Sequence, residues 1–226
     1  MAEDAIFFPR GHLRRAATMR HARRVRFDDS PVNTDRVQLR RELRARRREL
    51  PAAQRIAAAD ALAARLLALP FAPERGYVAG YWAMDGEIAL HAWQLNLPRG
   101  CIYCLPVLAG DMLRFAPWRP GDALATNRFG IPEPDVEPSS ALPASDMAFV
   151  AMPLVGFDAN GTRLGMGGGW YDRSFAFRNE TPAPPWLVGV GFESQRVDAI
   201  DVHDWDVRPD AICTEAHTHT TTGAFA

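Results

Sequence analysis

Short apolar segments, each followed by a turn or by a helical pattern, restrict the fold of this chain more than any other feature. They are rich in aromatic and β-branched residues, and glycine, proline or polar residues bound each of them, as is typical of strands. The predicted strands cover residues 76–84, 101–108, 112–118, 147–155, 186–192 and 211–215. Because these runs are apolar throughout, they predict an α/β fold with a mostly parallel sheet that is buried on both faces.

Two amphipathic helices are predicted before the first strand. The first begins near Arg36, carries Leu39 and Leu43 at helical spacing between arginines, and ends at Pro51. The second covers residues 54–69. A third helix is expected over residues 88–97, after an Asp-Gly turn that ends the first strand.

The charge distribution separates an amino-terminal segment from the rest of the chain. Residues 1–48 carry 14 arginines and six acidic residues, a net charge of +8, whereas the whole chain has a net charge of −1. Residues 1–34 lack sustained hydrophobic periodicity, and we interpret them as a basic, flexible extension. Contact with nucleic acid is the alternative role of such an arm, but neither aromatic interleaving nor zinc-ligand spacing accompanies the arginines.

The carboxyl end is interpreted as a second flexible segment. We predict a single α/β domain over residues 35–216 and a flexible tail over residues 217–226. His203, His217 and His219 are candidate metal ligands, but the latter two stand in the HTHT sequence of the predicted tail, so we expect them to be solvated.

Composition excludes several classes of function. All 26 basic residues are arginines, so a P-loop lysine, a Schiff-base lysine and an adenylated lysine are impossible in this chain. A phosphate clamp would have to use arginine, backbone amides and metal.

No apolar run approaches the ~20 residues that cross a bilayer, and three cysteines without an export signal favour a reducing, cytoplasmic location.

Four glycines within five positions, Gly165, Gly167, Gly168 and Gly169, form the strongest candidate site. Their amides can approach phosphate oxygens closely and can point inward as an anion nest, although a glycine-rich turn also serves close packing. Asp172 follows in the first turn of the next predicted helix. It could hold Mg²⁺ or interact with the helix dipole, and we expect it to lie at a rim of the cleft.

Two further segments have open interpretations. Glu87, just after the first strand, is either a solvated turn residue or an acceptor for N–H groups of a ligand at a strand's carboxyl end. The proline-bounded segment 126–134 is either a lid or a simple connection.

Five segments in fixed order carry a resemblance to a known family. The segments are DGEI at 85–88, NRFGIPEP at 127–134, FDANGTRLGMGGGWYDR at 157–173, VGFESQRV up to Val197 and DVRPDAICTE at 206–215. Through these segments, about 80% of the chain resembles 5-formyltetrahydrofolate cyclo-ligase, also called 5,10-methenyltetrahydrofolate synthetase.

The resemblance implies a fold, ligands and site residues. The fold would be a three-layer α/β/α arrangement like those of sugar-phosphate isomerases and CoA transferases. Trp82 and Glu87 would contact a reduced folate, and Asp172 and Asp206 would bind Mg²⁺, with Asp204 as a rival for the second position. The implied ATP-binding residues are Arg36, Arg40, Arg163, Leu164, Gly165, Met166, Gly167, Gly168, Gly169, Trp170 and Tyr171.

The implied reaction is the ATP- and Mg²⁺-dependent closure of 5-formyltetrahydrofolate to 5,10-methenyltetrahydrofolate, with release of ADP and phosphate. No side chain is assigned as a catalytic acid, base or nucleophile. Met166 and Trp205 depart from the residues usual in the family, which leaves a folate- or nucleotide-binding module without turnover as the alternative. We expect a monomer with small-molecule substrates, and neither a membrane nor a nucleic-acid partner.

Overall fold

A computed structural model describes residues 34–220 of the chain. The two predicted amino-terminal helices are present as α1 (Thr34–Arg48) and α2 (Ala52–Leu67). Residues 1–33 of the predicted extension and residues 221–226 of the predicted tail lie outside the described residues. Within the described part, no helix combines the length and the apolarity that a membrane crossing requires.

A seven-stranded mixed sheet forms the centre of the fold, in the order β11-β10-β9-β6-β1-β2-β3. The five central strands run parallel, and the outer strands β3 and β11 each pair antiparallel with their neighbour, which confirms the predicted mostly parallel α/β fold. The strands are β1 (Arg75–Ala79), β2 (Gly100–Ala109), β3 (Met112–Pro117), β6 (Met147–Pro153), β9 (Trp186–Val190), β10 (Ala211–Cys213) and β11 (Thr218–Thr220).

Smaller elements connect these strands at the edges of the sheet. Two hairpins were not predicted: β4 (Leu124–Thr126) with β5 (Pro132–Pro134), and β7 (Gly156–Phe157) with β8 (Arg163–Leu164). The helices α3 (His91–Leu95) and α4 (Trp170–Ser174) are short. The predicted helix over 88–97 is therefore too long. The first strand also ends earlier than predicted: β1 stops at Ala79, and the next residue, Gly80, donates its N–H to the carbonyl of Cys104 in β2.

Two hydrophobic clusters cover the two faces of the sheet, so the domain has three layers. Val78 faces the cluster that contains Leu62 and Leu66 of α2 and Trp93 of α3. Its neighbour Ala79 faces the other cluster. This alternation follows from the twofold side-chain period of a strand. The second cluster also contains Met147, Val150, Met152, Phe175 and Leu187.

The carboxyl-terminal segment is ordered further than the sequence predicts. Residues Thr218–Thr220 pair antiparallel with Ala211–Cys213 as the edge strand β11, so the predicted tail from 217 begins too early. The ring of His219 lies 5.2 Å from that of Phe157. Exposed edge strands offer unpaired backbone groups, and β11 satisfies those of β10.

Helix α1 is joined to the end of β1 by three arginines that converge on Asp85. Arg47 is fully buried and donates from Nε to the Asp85 carbonyl and from Nη2 to Oδ2, both at 3.0 Å. Arg44 Nε donates to Oδ2 at 2.7 Å, and Arg48 donates to Oδ1. Asp85 has a φ of 52°, a left-handed conformation that aspartate and asparagine tolerate better than most residues. Burial raises the pKa of the Asp85 carboxyl, but the arginines outweigh burial and hold that pKa below its usual value.

We predict that Asp85→Asn lowers the free energy of unfolding by about 2 kcal/mol at pH 7, because buried Arg47 loses its closest counter-charge while the backbone preference is kept. The lowered pKa means that the charge of Asp85 stabilises the fold above the unfolded carboxyl pKa of about 3.9, and that this contribution is lost as pH falls through the folded pKa. Urea unfolding should therefore show a gap between wild type and variant at pH 7 that shrinks near pH 3.

Asp60→Asn on the exposed face of α2 is the matched control and should unfold like the wild type at both pH values. An equal loss of stability in the two variants would contradict the assignment of Asp85 as the counter-charge of α1.

Candidate functional site

Helix α1 lies across the carboxyl ends of several strands, and its arginines reach the loops that leave them. Besides the contacts with Asp85 after β1, Arg40 Nε donates to the carbonyl of Gly165 at 2.9 Å. Arg46 Nη1 donates to the carbonyl of Ser194, after β9, at 3.1 Å. The predicted amino-terminal pair, Arg36 and Arg40, therefore lies on the side of the sheet where the glycine loop also lies. Ligands of parallel α/β sheets bind at these strand ends.

The glycine loop, residues 165–169, is open to solvent and has unused backbone donors. In the part of the chain that the structure describes, the N–H groups of this loop have no hydrogen-bond acceptor. Gly167 and Gly169 have φ values of 95° and 63°, which side chains rarely adopt. Met166 is 53% exposed, so its side chain points away from the core. Free amides on a left-handed turn are the geometry that an anion nest requires.

Leu164 precedes this loop and is fully buried. Its side chain packs in a small cluster with Leu43 of α1, Val155 and Ile200. The backbone is therefore the part of Leu164 that a ligand in the cleft could contact.

Asp172 pairs with a buried arginine at the base of the loop. Arg163 Nη2 lies 2.9 Å from Asp172 Oδ1, and the side chains are 5% and 17% exposed. Arg163 Nε is buried and has no hydrogen-bond partner among the described residues. The Asp172 carboxylate is therefore largely enclosed, and its place at a rim of the cleft stays a prediction.

Asp206 joins this group from the loop before β10. Its Oδ2 accepts hydrogen bonds from both terminal nitrogens of Arg36 at 3.4 Å and from His203 N at 2.9 Å. The next residue, Val207, donates its N–H to Asp172 Oδ1 at 3.3 Å, which brings the two predicted aspartates together. Asp204 is exposed.

The positive charge near the loop is only partly balanced. Burial and the charge of Arg36 lower the pKa of Arg40, and Asp206 opposes this shift. A lowered arginine pKa means that the environment disfavours a further cation there. An anion next to Arg36 and Arg40 would remove that repulsion.

Glu87 occupies a half-enclosed position at the end of β1. Its Oε2 accepts a hydrogen bond from Met84 N at 3.0 Å, and its Oε1 lies 3.6 Å from Arg47 Nη1. Burial raises the pKa of this carboxyl. Trp82 lies edge-on to Trp118, with 5.7 Å between ring centroids. Glu87 is therefore not the solvated turn residue of the first alternative.

Tyr171 connects the two halves of the site. The guanidinium of Arg163 lies 5.7 Å from the centroid of its ring. Burial raises the pKa of Tyr171; Arg163 lowers it, and the negative charge of Glu87 raises it again. Helix α1 contacts both sides of the site: Arg40 donates to Gly165 on the candidate phosphate side, and Arg47 Nη1 lies 3.6 Å from Glu87 Oε1 on the candidate folate side.

Segment 126–134 lies beside the glycine loop as part of the β4–β5 hairpin. The ring of Phe129 lies 5.8 Å from that of Trp170, and the Arg128 guanidinium lies 5.3 Å from the same ring. Asn127 closes the turn, with Oδ1 accepting from Phe129 N and Ile131 N. The sequence analysis named this segment but missed Arg128 and Phe129 as site residues. Their signal was an exposed Arg-Phe pair at the tip of a proline-bounded loop.

Comparisons with known proteins agree on one family. The model of the 5-formyltetrahydrofolate cyclo-ligase family matches residues 32–215. A protein of Haemophilus influenzae named 5-formyltetrahydrofolate cyclo-ligase is 34% identical over 186 residues, which are 78% of this chain and 96% of the relative. A relative of the same name in Mycolicibacterium smegmatis is 31% identical over 182 residues, 75% of this chain and 88% of the relative.

The fold agrees with a solved structure of the same kind. The NMR structure of 5,10-methenyltetrahydrofolate synthetase from Aquifex aeolicus has a TM-score of 0.70 and 26% identity, and the match covers 84% of this chain and 95% of that chain.

Proposed function

The chain belongs to the 5-formyltetrahydrofolate cyclo-ligase family, and we propose that its strand-end cleft, from Trp82 to the glycine loop, is where the reaction takes place. The chain is an ATP-dependent ligase that cyclises 5-formyltetrahydrofolate to 5,10-methenyltetrahydrofolate. The observation that carries the assignment of the site is that one helix, α1, contacts two groups: Arg40 donates to the glycine loop with its free amides, and Arg47 lies beside the enclosed carboxylate Glu87.

The chemistry explains why the cleft needs two adjoining halves. A formamide oxygen is a poor leaving group, so N10 of the folate cannot displace it from the formyl carbon unaided. In the proposed sequence the formyl oxygen attacks the γ-phosphorus of ATP and ADP leaves. N10 then attacks the formyl carbon and loses its proton to water, and the carbon–oxygen bond breaks with release of phosphate. Transfer of this kind is catalysed mainly by positioning and charge stabilisation.

We assign the phosphate side to the groups around the glycine loop. The amides of residues 165–169 would cradle phosphate oxygens, and Arg36, Arg40 and Arg163 would neutralise their charge. An arginine fork suits this role because it binds two oxygens in one plane. Met166 is exposed, so its departure from the family pattern does not affect the backbone cradle.

We assign Mg²⁺ to Asp172 and Asp206, and the residues present fit such an ion. Both carboxylates supply the hard oxygen ligands that Mg²⁺ prefers, and Val207 brings them together. Each aspartate is paired with an arginine in this structure. When MgATP binds, the arginines would turn to phosphate oxygens and the carboxylates to the metal, so no buried charge would be left without a partner. The ion would supply charge neutralisation at the transferred phosphoryl group.

We assign the folate side to Glu87 and Trp82. An enclosed carboxylate can accept two N–H donors of a heterocycle, and such donors would offset the burial that raises the pKa of Glu87. Trp82, against Trp118, offers an aromatic surface for a planar ring.

The monomeric state and the reducing, cytoplasmic location stay predictions.

Turnover is the direct test of the proposal. Purified protein given 5-formyltetrahydrofolate and MgATP should develop the absorbance of the methenyl product, and it should release ADP in equal amount. Omission of ATP should abolish both signals. Folded protein that binds ATP and the folate but produces neither signal would support the alternative of a binding module without turnover.

Replacement of Gly167 tests the phosphate cradle. Gly167→Ala places a side chain at a φ of 95°, with its Cβ 3.3 Å from Arg40 Cζ. We expect the Kd for ATP to rise about tenfold, because the strain of about 1–2 kcal/mol falls on the phosphate-binding loop. Gly121→Ala is the matched control, since Gly121 has a φ of 102° and open space around it. Calorimetry showing equal ATP affinity for the two variants would place the cradle elsewhere.

The two candidate aspartates of the terminal loop can be separated by a pair of variants. Asp206→Asn should raise the Mg²⁺ concentration for half-maximal turnover about tenfold, because a carboxylate ligand becomes a neutral amide. Asp204→Asn removes an exposed charge two residues away and should keep the wild-type Mg²⁺ dependence. The reverse result would assign Asp204 as the second ligand.

A further inference from the structure

A cluster of two histidines and a glutamate lies at the β11 edge of the sheet, outside the proposed folate and ATP site. His217 stands just before β11 and His219 in its middle, two residues apart in the extended chain, so their side chains share one face. Glu193 begins the short 3₁₀-helix Glu193–Gln195 that follows β9. β10 runs parallel to β9, and β11 pairs antiparallel with β10. The turn between β10 and β11 therefore lies beside the carboxyl end of β9, and the two histidines come to that end of the sheet.

The three side chains converge on one point. Glu193 Oε2 lies 3.4 Å from His217 Nδ1 and 3.3 Å from His219 Nε2. One donor atom of each residue lies within 4.8 Å of the others. Ligand atoms bound tetrahedrally to Zn²⁺ at 2.0–2.1 Å are about 3.3 Å apart, so both measured distances match a zinc ion placed between the side chains.

The hydrogen bonds of Glu193 also indicate a cation. Besides the two imidazoles, its Oε2 accepts from the hydroxyl of buried Thr214 at 2.7 Å. A carboxylate oxygen has two lone-pair sites, and here three groups compete for them. A metal between the carboxylate and the imidazoles would resolve this competition. Thr214 would then keep its hydrogen bond as the outer-shell partner that metal-bound carboxylates usually have.

We propose that Glu193, His217 and His219 bind a transition-metal ion of the Zn²⁺ type and thereby fix β11 to the end of β9. Two imidazoles and a carboxylate favour such an ion over Mg²⁺, whose preferred ligands are oxygens. His217 has a 64% exposed side chain and His219 an 18% exposed one, so an ion can enter from solvent, and water can fill its fourth position.

This site takes no part in the proposed cyclisation. None of its residues is assigned to folate, ATP or Mg²⁺, and the ion would serve as a clip for an edge strand. Both histidines were expected in a solvated tail: the β10–β11 pairing contradicts this for His219, whereas His217 is exposed as expected.

Zinc binding to the full chain tests this proposal. Protein stripped with EDTA and returned to Mg²⁺ buffer should bind one ZnCl₂ at this site in a calorimetric titration, without folate or ATP. At a Zn²⁺ concentration of about 100 Kd, its Tm should rise by roughly 5 °C or more. The result is independent of the proposed function, since neither substrate is present.

Variants assign the binding to these side chains. His217→Ala/His219→Ala should abolish this binding event and the rise in Tm. Thr214→Val should weaken the affinity about tenfold, as is usual for an outer-shell partner. His91→Ala, at the exposed first residue of α3, is the matched control and should bind zinc like the wild type.

Equal zinc binding by the wild type and the double variant would overturn the proposal, because the ion would then be held by other histidines of the chain. Absence of zinc binding by folded wild-type protein would overturn it as well. The cluster would then be an ion pair between Glu193 and protonated imidazole.

Discussion

The arginines of α1 hold the strand-end loops in place, and the functional side of the molecule depends on them. A buried guanidinium must find acceptors, because an unpaired charge in the interior is costly. Buried Arg47 donates to Asp85 after β1. Arg40 donates to the carbonyl of Gly165, and the exposed Arg46 donates to the carbonyl of Ser194 after β9. One helix therefore contacts three loops that lie far apart in the sequence. Leu43 anchors the same helix in the core between these contacts.

The charged pairs of this arrangement involve the same side chains that the proposed reaction would use. Arg36–Asp206 and Arg163–Asp172 are neutral pairs at the glycine loop. MgATP keeps a net negative charge, so Arg40 would supply further positive charge when the two pairs exchange partners with MgATP. Arginine is well suited to such an exchange, since it stays ionised and binds carboxylate or phosphate in the same planar geometry. A chain without lysine can therefore bind a nucleotide through forks and amides.

The far edge of the sheet uses the same strand-end geometry for another purpose. β11 is three residues long, and so short a strand contributes few backbone hydrogen bonds. The Glu193–His217–His219 cluster adds side-chain contacts between this strand and the turn after β9. A bound ion would strengthen them, so the proposed clip compensates for the shortness of the edge strand.

The sequence by itself determined the mostly parallel α/β fold, the helices α1 and α2 and the family, because hydrophobic periodicity and ordered motifs are local properties of a chain. It also located the glycine loop, Glu87 and Asp172. Tertiary structure decided which groups meet: Asp206 against Arg36, Asp172 against Arg163, and the arginines of α1 against Asp85. It also decided that His219 belongs to a strand and not to a tail. These partners lie up to 170 residues apart in the chain. Their pairing depends on burial and on strand order, neither of which a local pattern of residues contains.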